Sequence, residues 1–254
     1  MRRIILIFCF VFLLTNFADA AHILEPLGTE TAATPPRGRM FGQVVYEQEE
    51  PMPVEFEIGL GEKTQLNLEG AIQLRHEDSK GQQESGVREI GFGIKHRFLD
   101  ETAGSPDLAF EVEFSPTIGL KGNEQGSKFV LILSKHVTPR FVLHIDGAYE
   151  LETEREIKLP NTDNLVSHES WFLNVAPLFV IIPDRLMFVT EINGSHDVSG
   201  ESELTLMPEI IAVIQTDTFS VLQNLSLKLS FPMELDGHAD GHGQRVMFGL
   251  SKLF

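Results

Sequence analysis

His168 and Ser170, two apart in "SHESW", are residues whose types suit covalent chemistry. On a strand, that spacing puts an imidazole and a hydroxyl on one face within hydrogen-bond reach, the arrangement by which a base activates a nucleophile for acyl transfer. If 169–182 and 184–195 form a hairpin around "IPD", Ser170 falls near Ser195 and His168 near Asp197, with Asn193 close by. The types for a lipid-hydrolysing site are then present. The same register places Trp171 and Leu173 on the apolar face and turns His168 and Ser170 away from lipid, so catalysis is not the expected reading. A second constellation, "DGHADGHGQ", alternates Asp236, His238, Asp240 and His242, types that bind divalent metals. Its turn-forming composition reads instead as a solvated loop. No phosphate-cradling loop, zinc spacing or dinucleotide fingerprint appears, and no cofactor is expected.

A larger set of charged residues recurs at every second position. Glu55, Glu57, Glu69, Arg75, Glu89, Lys95, Arg97, Glu111, Glu113, Asp146, Glu150, Glu191, Glu209 and Lys228 all fall on the polar side of an alternating pattern. Their partners in the pattern are Leu, Phe, Ile and Val. "VEFEIGL" opposes Val54, Phe56, Ile58 and Leu60 to Glu55, Glu57 and Gly59, and "DLAFEVEF" opposes Leu108, Phe110, Val112 and Phe114 to Glu111 and Glu113. This is strand periodicity, and none of these windows has the three-and-four spacing of an amphipathic helix.

Strands are expected near 40–49, 52–61, 64–76, 86–99, 107–120, 128–137, 140–153, 169–182, 184–195, 201–216, 219–234 and 243–254. Many reach the roughly 9 to 11 residues that a tilted strand needs to cross hydrocarbon. Even-numbered connections such as "GEKT", "VTP" and "IPD" are tight, "DETAGSP" excepted, whereas odd-numbered ones such as "EDSKGQQES" and "TEREIKLPNTDNLVSHE" are longer and polar, although the first, near Glu49 to Pro51, is short. That asymmetry is the one found between the two ends of outer-membrane barrels. A soluble β-sandwich would also alternate, but its strands average five or six residues and its polar face meets water with Lys, Thr and Ser. The facing carboxylates and bases suit a hydrated, ion-paired lumen better. The fold class read from this is all-β, a transmembrane antiparallel barrel of about 12 strands.

The chain begins "MRRIILIFCFVFLLTNFADA", with a basic tip, an apolar run from Ile4 to Leu14, and Ala18-x-Ala20 before Ala21. It reads as a signal peptide over 1–20, too short in its apolar run to span a membrane as a helix. Cys9, the only cysteine, lies within it, so the mature chain has no thiol chemistry. Residues 21–39, rich in Pro, Gly and Thr, read as an irregular periplasmic leader, and 40–254 as the barrel. An excess of 37 acidic over 20 basic residues argues against nucleic acid as a partner. The expected location is the bacterial outer membrane, with its lipid as the surrounding partner.

Some windows fit less well. "KFVLILSKHV" is apolar on both faces, and Phe172, Leu178 and Val180 fall on the inner side of theirs. They would either form a locally apolar interior, packing on one another or on the leader, or present a wall to a hydrophobic solute. One Trp and two Tyr against 19 Phe make a thin interfacial girdle by the usual residue types.

"EPLGTETAATPPRGRMF" and "VEFEIGLGEKTQLNLEGAIQL" resemble outer-membrane proteins of the phenol meta-pathway transporter-like family. The resemblance implies a barrel that passes small solutes, hydrophobic or aromatic ones included, and it offers no catalytic residues. It also implies that the ending "RVMFGLSKLF", with Gly249 and Phe254, is the signal read by barrel-assembly machinery. Lys252 departs from that pattern, where an apolar residue is expected, and its side chain is expected to snorkel toward headgroups.

Overall fold

The computed structural model describes residues 26–47, 51–77, 83–116, 124–158, 162–215, 223–236 and 245–254. The signal segment and the His238–His242 run lie outside the described residues. Where charge and hydrocarbon alternate, the chain extends. The strands are β1 (Met40–Glu47), β2 (Met52–Gly59), β3 (Thr64–Glu77), β4 (Gln83–Leu99), β5 (Asp107–Ser115), β6 (Glu124–Thr138) and β7 (Phe141–Lys158). They continue with β8 (Thr162–Ile182), β9 (Leu186–Asp197), β10 (Ser202–Ile214), β11 (Leu225–Ser230), β12 (Met233–Asp236) and β13 (Met247–Leu253).

From β1 to β10 each strand pairs antiparallel with the next. β11 and β12 both pair with β10, separated only by Phe231 and Pro232, and act as one interrupted stave. β11 also pairs with β13, and β13 with β1, so the 13 segments close as a barrel of twelve staves. At the seam, Phe254 N–H donates to Met40 O at 2.7 Å, which uses the last residue to remove an open edge. Lys252 does not snorkel. It is buried, with Nζ 5.1 Å from the centroid of the Phe254 ring.

The two faces sort by chemistry. On β5, Phe110, Val112 and Phe114 are exposed, while Ala109, Glu111 and Glu113 are buried. The outer surface is therefore hydrocarbon around most of the barrel, a surface that water would not tolerate as a continuous patch. Near the end away from the termini, Phe129, Tyr149 and Trp171 stand side by side in register, with Tyr149 and Trp171 rings 4.6 Å apart. Near the other end Phe141 stacks on Phe179, and Phe188 is next in register. On these strands Phe supplies ring positions that Trp and Tyr leave sparse. Tyr149 and Phe141 lie on the same strand, a separation of roughly 26 Å at about 3.3 Å per residue. Before tilt shortens it, that matches the apolar band of about 25 Å in outer-membrane barrels.

One expected loop is instead strand. Residues 154–158 and 162–168, read as part of a long connection, continue the β7–β8 ladder as far as Lys158 opposite Thr162. Backbone pairing wins there over polar composition, because each residue added to an existing ladder gains cross-strand hydrogen bonds at little further closure cost. β8, at 21 residues, is roughly 70 Å long and rises well beyond the aromatic belt.

Candidate functional site

The interior has two chemistries. Toward the termini, Val142, Ala176, Leu178, Met187, Val189, Ile211 and Val213 pack together, with Val180 against them. This is a locally apolar interior. Ala32 of the leader clusters with Ala109, Val130, Ile132 and Ala148 of the wall, and Phe172 packs against that cluster. Elsewhere the inner face is charged.

The described leader has no regular structure, and it runs inside the barrel. Leu27 N–H donates to Glu191 Oε1 at 3.2 Å and to Glu209 Oε2 at 3.0 Å. Gly28 N–H and Thr29 Oγ1 both donate to Glu191 Oε2, at 2.9 and 2.7 Å. Further along, Glu30 N–H donates to Asp146 Oδ2 at 2.9 Å and Ala32 N–H to Ser134 Oγ at 2.9 Å. A segment with no sheet partner has thus found side-chain acceptors for its buried amides, as the backbone requires. Glycines make room for it, Gly59 most closely, where a Cβ would collide with Pro36 O. A Cβ on Gly249 would lie 2.6 Å from Leu27 Cδ2, and one on Gly28 would lie 2.8 Å from Met207 Cε. Gly249, noted in the sequence as an assembly signal, therefore also clears space for the leader.

The charged residues singled out in the sequence occupy these positions. Glu57, Lys95, Glu111, Glu191 and Glu209 are fully buried on the inner face, and Asp146, Lys228 and Glu113 nearly so. Glu55, Glu69, Glu150 and Arg97 are half-buried. Arg97 sits toward the termini, donating to Glu62 O and lying 3.3 Å from Asp100 Oδ1. The side chains of Arg75 and Glu89 lie outside the described residues.

Several of these groups form one network. Lys95 Nζ lies 2.9 Å from Glu57 Oε1 and 3.2 Å from Glu30 Oε2, tying wall to leader. Gln65 donates to Glu57 and to Asn67, and Asn67 donates to Glu111. Lys128 pairs with Glu113 at 3.3 Å, and Lys228 donates to Gln43. Above the leader is a cavity of about 360 Å³, with Gly28 and Glu30 as its floor. Its walls carry Glu69, Glu113, Lys128, Asp146, Glu150 and Phe172.

The hydrolytic trio does not assemble as expected. Ser170 pairs in register with Asp197, and Phe172, not Ser170, stands opposite Ser195. His168 is exposed and opposite Glu152. The turn after β8 is two residues longer on the β9 side than the sequence suggested, which shifts every partner by two.

At the termini end, Glu101 clamps the β4–β5 turn to β6. It accepts from His136 N–H at 2.9 Å and lies 2.7 Å from His136 Nδ1 and 3.2 Å from Lys135 Nζ. Partial burial pushes the Glu101 carboxyl up, but the His136 and Lys135 contacts outweigh it and hold it below its ordinary value. A depressed carboxyl stabilises the fold above its unfolded pKa and loses that contribution as pH falls through the folded value. The stability difference between wild type and Glu101→Gln, measured by urea unfolding, should therefore be present at pH 7 and be lost as the pH falls below the ordinary glutamate range and through the lowered folded value.

No protein-family model matches the chain, and no curated protein matches it. Among solved structures, the crystal structure of an outer membrane channel from Pseudomonas putida F1 superposes with a TM-score of 0.64, covering 91% of this chain and all of the other at 11% identity. The fold is that of an outer-membrane barrel. The NanC porin gives a TM-score of 0.50 at 7% identity, covering 84% of this chain and 98% of the porin. At these identities the likeness is one of fold.

Proposed function

We propose that the protein is an outer-membrane channel for small solutes, hydrophobic and aromatic ones included, whose lumen is stopped by its own leader. The observation that carries this reading is the combination of an apolar outer band, bounded by aromatic belts, with a charged interior that holds an irregular segment. The solved channels of the same fold support it, as does the resemblance to the meta-pathway transporter-like family. The termini would face the periplasm, and the Gly249–Phe254 ending would be read by barrel-assembly machinery. Carboxylates outnumber ammonium groups along the inner face, which favours cations over anions.

Conductance across a planar bilayer tests the channel, and reversal potentials in a salt gradient test its preference. No conductance even after the leader is removed would overturn the channel reading. The membrane location has its own test. Leu131, half-way along β6 and 54% exposed, would face lipid. Leu131→Arg should cost about 2 to 4 kcal/mol in urea unfolding from lipid vesicles. A barrel whose outer face met water would lose nothing, and would gain solubility.

A further inference from the structure

The wall holds the leader chiefly by its backbone. It accepts from the N–H groups of Leu27, Gly28, Glu30 and Ala32, and Asn174 Nδ2 donates to Gly28 O at 3.3 Å. The donations from Gly28, Glu30 and Ala32 fall on alternate residues, the period of an extended chain with one edge against the wall. The acceptors do not depend on the leader for their place. Ser134 Oγ lies 2.9 Å from His144 Nδ1, and Asp146 Oδ1 accepts from Asn174 Nδ2 at 2.8 Å, which leaves Oδ2 toward Glu30 N–H. Ser134 of β6, Asp146 of β7 and Glu191 of β9 are all buried, Glu191 completely. A site whose groups are held by wall partners is organised before its ligand arrives.

The wall also selects side chains along this track. A Cβ on Gly28 would lie 2.8 Å from Met207 Cε and 2.9 Å from Asn193 Nδ2, so a larger residue there has to displace both. Thr29 Oγ1 donates to Glu191 Oε2 at 2.7 Å, Glu30 pairs with Lys95 at 3.2 Å, and Ala32 is fully buried against Ala109, Val130, Ile132 and Ala148. When the leader leaves, Glu191, Asp146 and Ser134 lose these donors together. Separate waters replace them only by each being immobilised, whereas an extended chain brings its donors already spaced on one backbone. A compact aromatic or alkyl solute has no such row of N–H groups.

We infer that the inner wall from Glu191 to Ser134 is a binding track for extended peptides, occupied by the chain's own leader and open to a free peptide once the leader is out. The occupant defines the peptide class: a glycine, then a hydroxyl, then a carboxylate, with a small residue two places further on. The inference rests on the channel reading for the leader's departure and adds short peptides to the solutes of such a channel. Binding to the track is measurable whether or not anything passes.

Fluorescence anisotropy tests it, using the full mature protein refolded in detergent. The probe is the peptide Leu-Gly-Thr-Glu-Thr-Ala, acetylated at its start so that no terminal ammonium contributes, and labelled beyond its last residue. The receptor carries Gly28→Leu and Ala32→Arg, changes confined to the leader that spoil its docking and leave every wall group in place. Heat-modifiable gel migration confirms that its barrel is closed. The probe should bind this variant at least about tenfold more tightly than wild type, whose track is occupied. A probe N-methylated at its glutamate lacks the donor that meets Asp146, and should bind about tenfold more weakly. Adding Asp146→Ala should weaken the plain probe to a similar degree and the methylated one no further. Acetylated Ala-Gly-Ser-Glu-Ser-Ala, which keeps the features and changes the sequence, should bind within about threefold of the probe. Equal binding to variant and wild type, or full binding of the methylated probe, would overturn the proposal. So would binding of the leader's own sequence alone, since the track then serves only the leader. A protein that conducts without binding the probe refutes this track alone, and one that binds it without conducting, with its leader undocked, refutes the channel alone.

Discussion

Deletion of residues 26–36 should convert an occluded barrel into a conducting one, raising single-channel conductance in a planar bilayer by on the order of tenfold. The magnitude follows from the geometry. A closed sheet of twelve staves lies between small barrels that side chains fill and porins that hold water, so whatever occupies its centre decides its permeability. Here that occupant is the leader, with Thr29, Thr31 and Ala32 nearly or fully buried. A point substitution should reproduce much of the effect. Glu191 accepts from Leu27 N–H, Gly28 N–H and Thr29 Oγ1, and Glu191→Leu leaves Gly28 and Thr29 without their carboxylate and Leu27 with Glu209 alone. A buried donor left unsatisfied costs about 1 to 3 kcal/mol, so the upper part of the leader should detach while the wall stays closed. If both variants conduct no more than the parent, the leader is not what limits passage.

Lys95→Met should be among the most destabilising single changes in the barrel. Lys95 and Glu57 are both completely buried at 2.9 Å, and Glu30 adds a second carboxylate to the same ammonium. Removing one partner of a buried pair strands the other charge, at a cost of about 3 to 5 kcal/mol. Urea unfolding in lipid vesicles measures it. Adding Glu57→Gln should recover most of the loss, because glutamine removes the stranded charge and still accepts from Gln65. Failure of the second substitution to recover stability would mean that Lys95 acts through packing of its stem. A loss below about 1 kcal/mol would mean that the pair is solvated.

Strand alternation was legible because a wall with lipid on one side and charge on the other must repeat every two residues. Glu111 and Glu113 between Phe110, Val112 and Phe114 announce it plainly. The rule blurs where the inside is apolar too, as at Leu178, Val180 and Val189, whose partners are other inward side chains. The tall β7–β8 hairpin was not legible, since beyond the membrane neither face needs hydrocarbon and the pattern that identifies a strand disappears. Least legible was the leader. It has no periodicity because it forms no ladder, and nothing in "PLGTETAATPP" says that its amides will meet Glu191, Glu209 and Asp146 more than a hundred residues away. The one trace is its string of small residues, which fits a narrow space. Residue types for hydrolysis were present at His168 and Ser170, but a two-residue slip in hairpin register separated them from their supposed helpers.

The contacts of the leader also set an order of events. Leu27 is 164 residues from Glu191 and 182 from Glu209. Its docking carboxylates stand on β9 and β10, and Gly249 of β13 lies against it on the remaining side, so its surroundings are complete only when the last stave is in place. A segment that precedes β1 thus has its complete surroundings only after β13 has paired. If the leader is what stops the channel, a wall that has closed before the leader docks is open for as long as that docking takes.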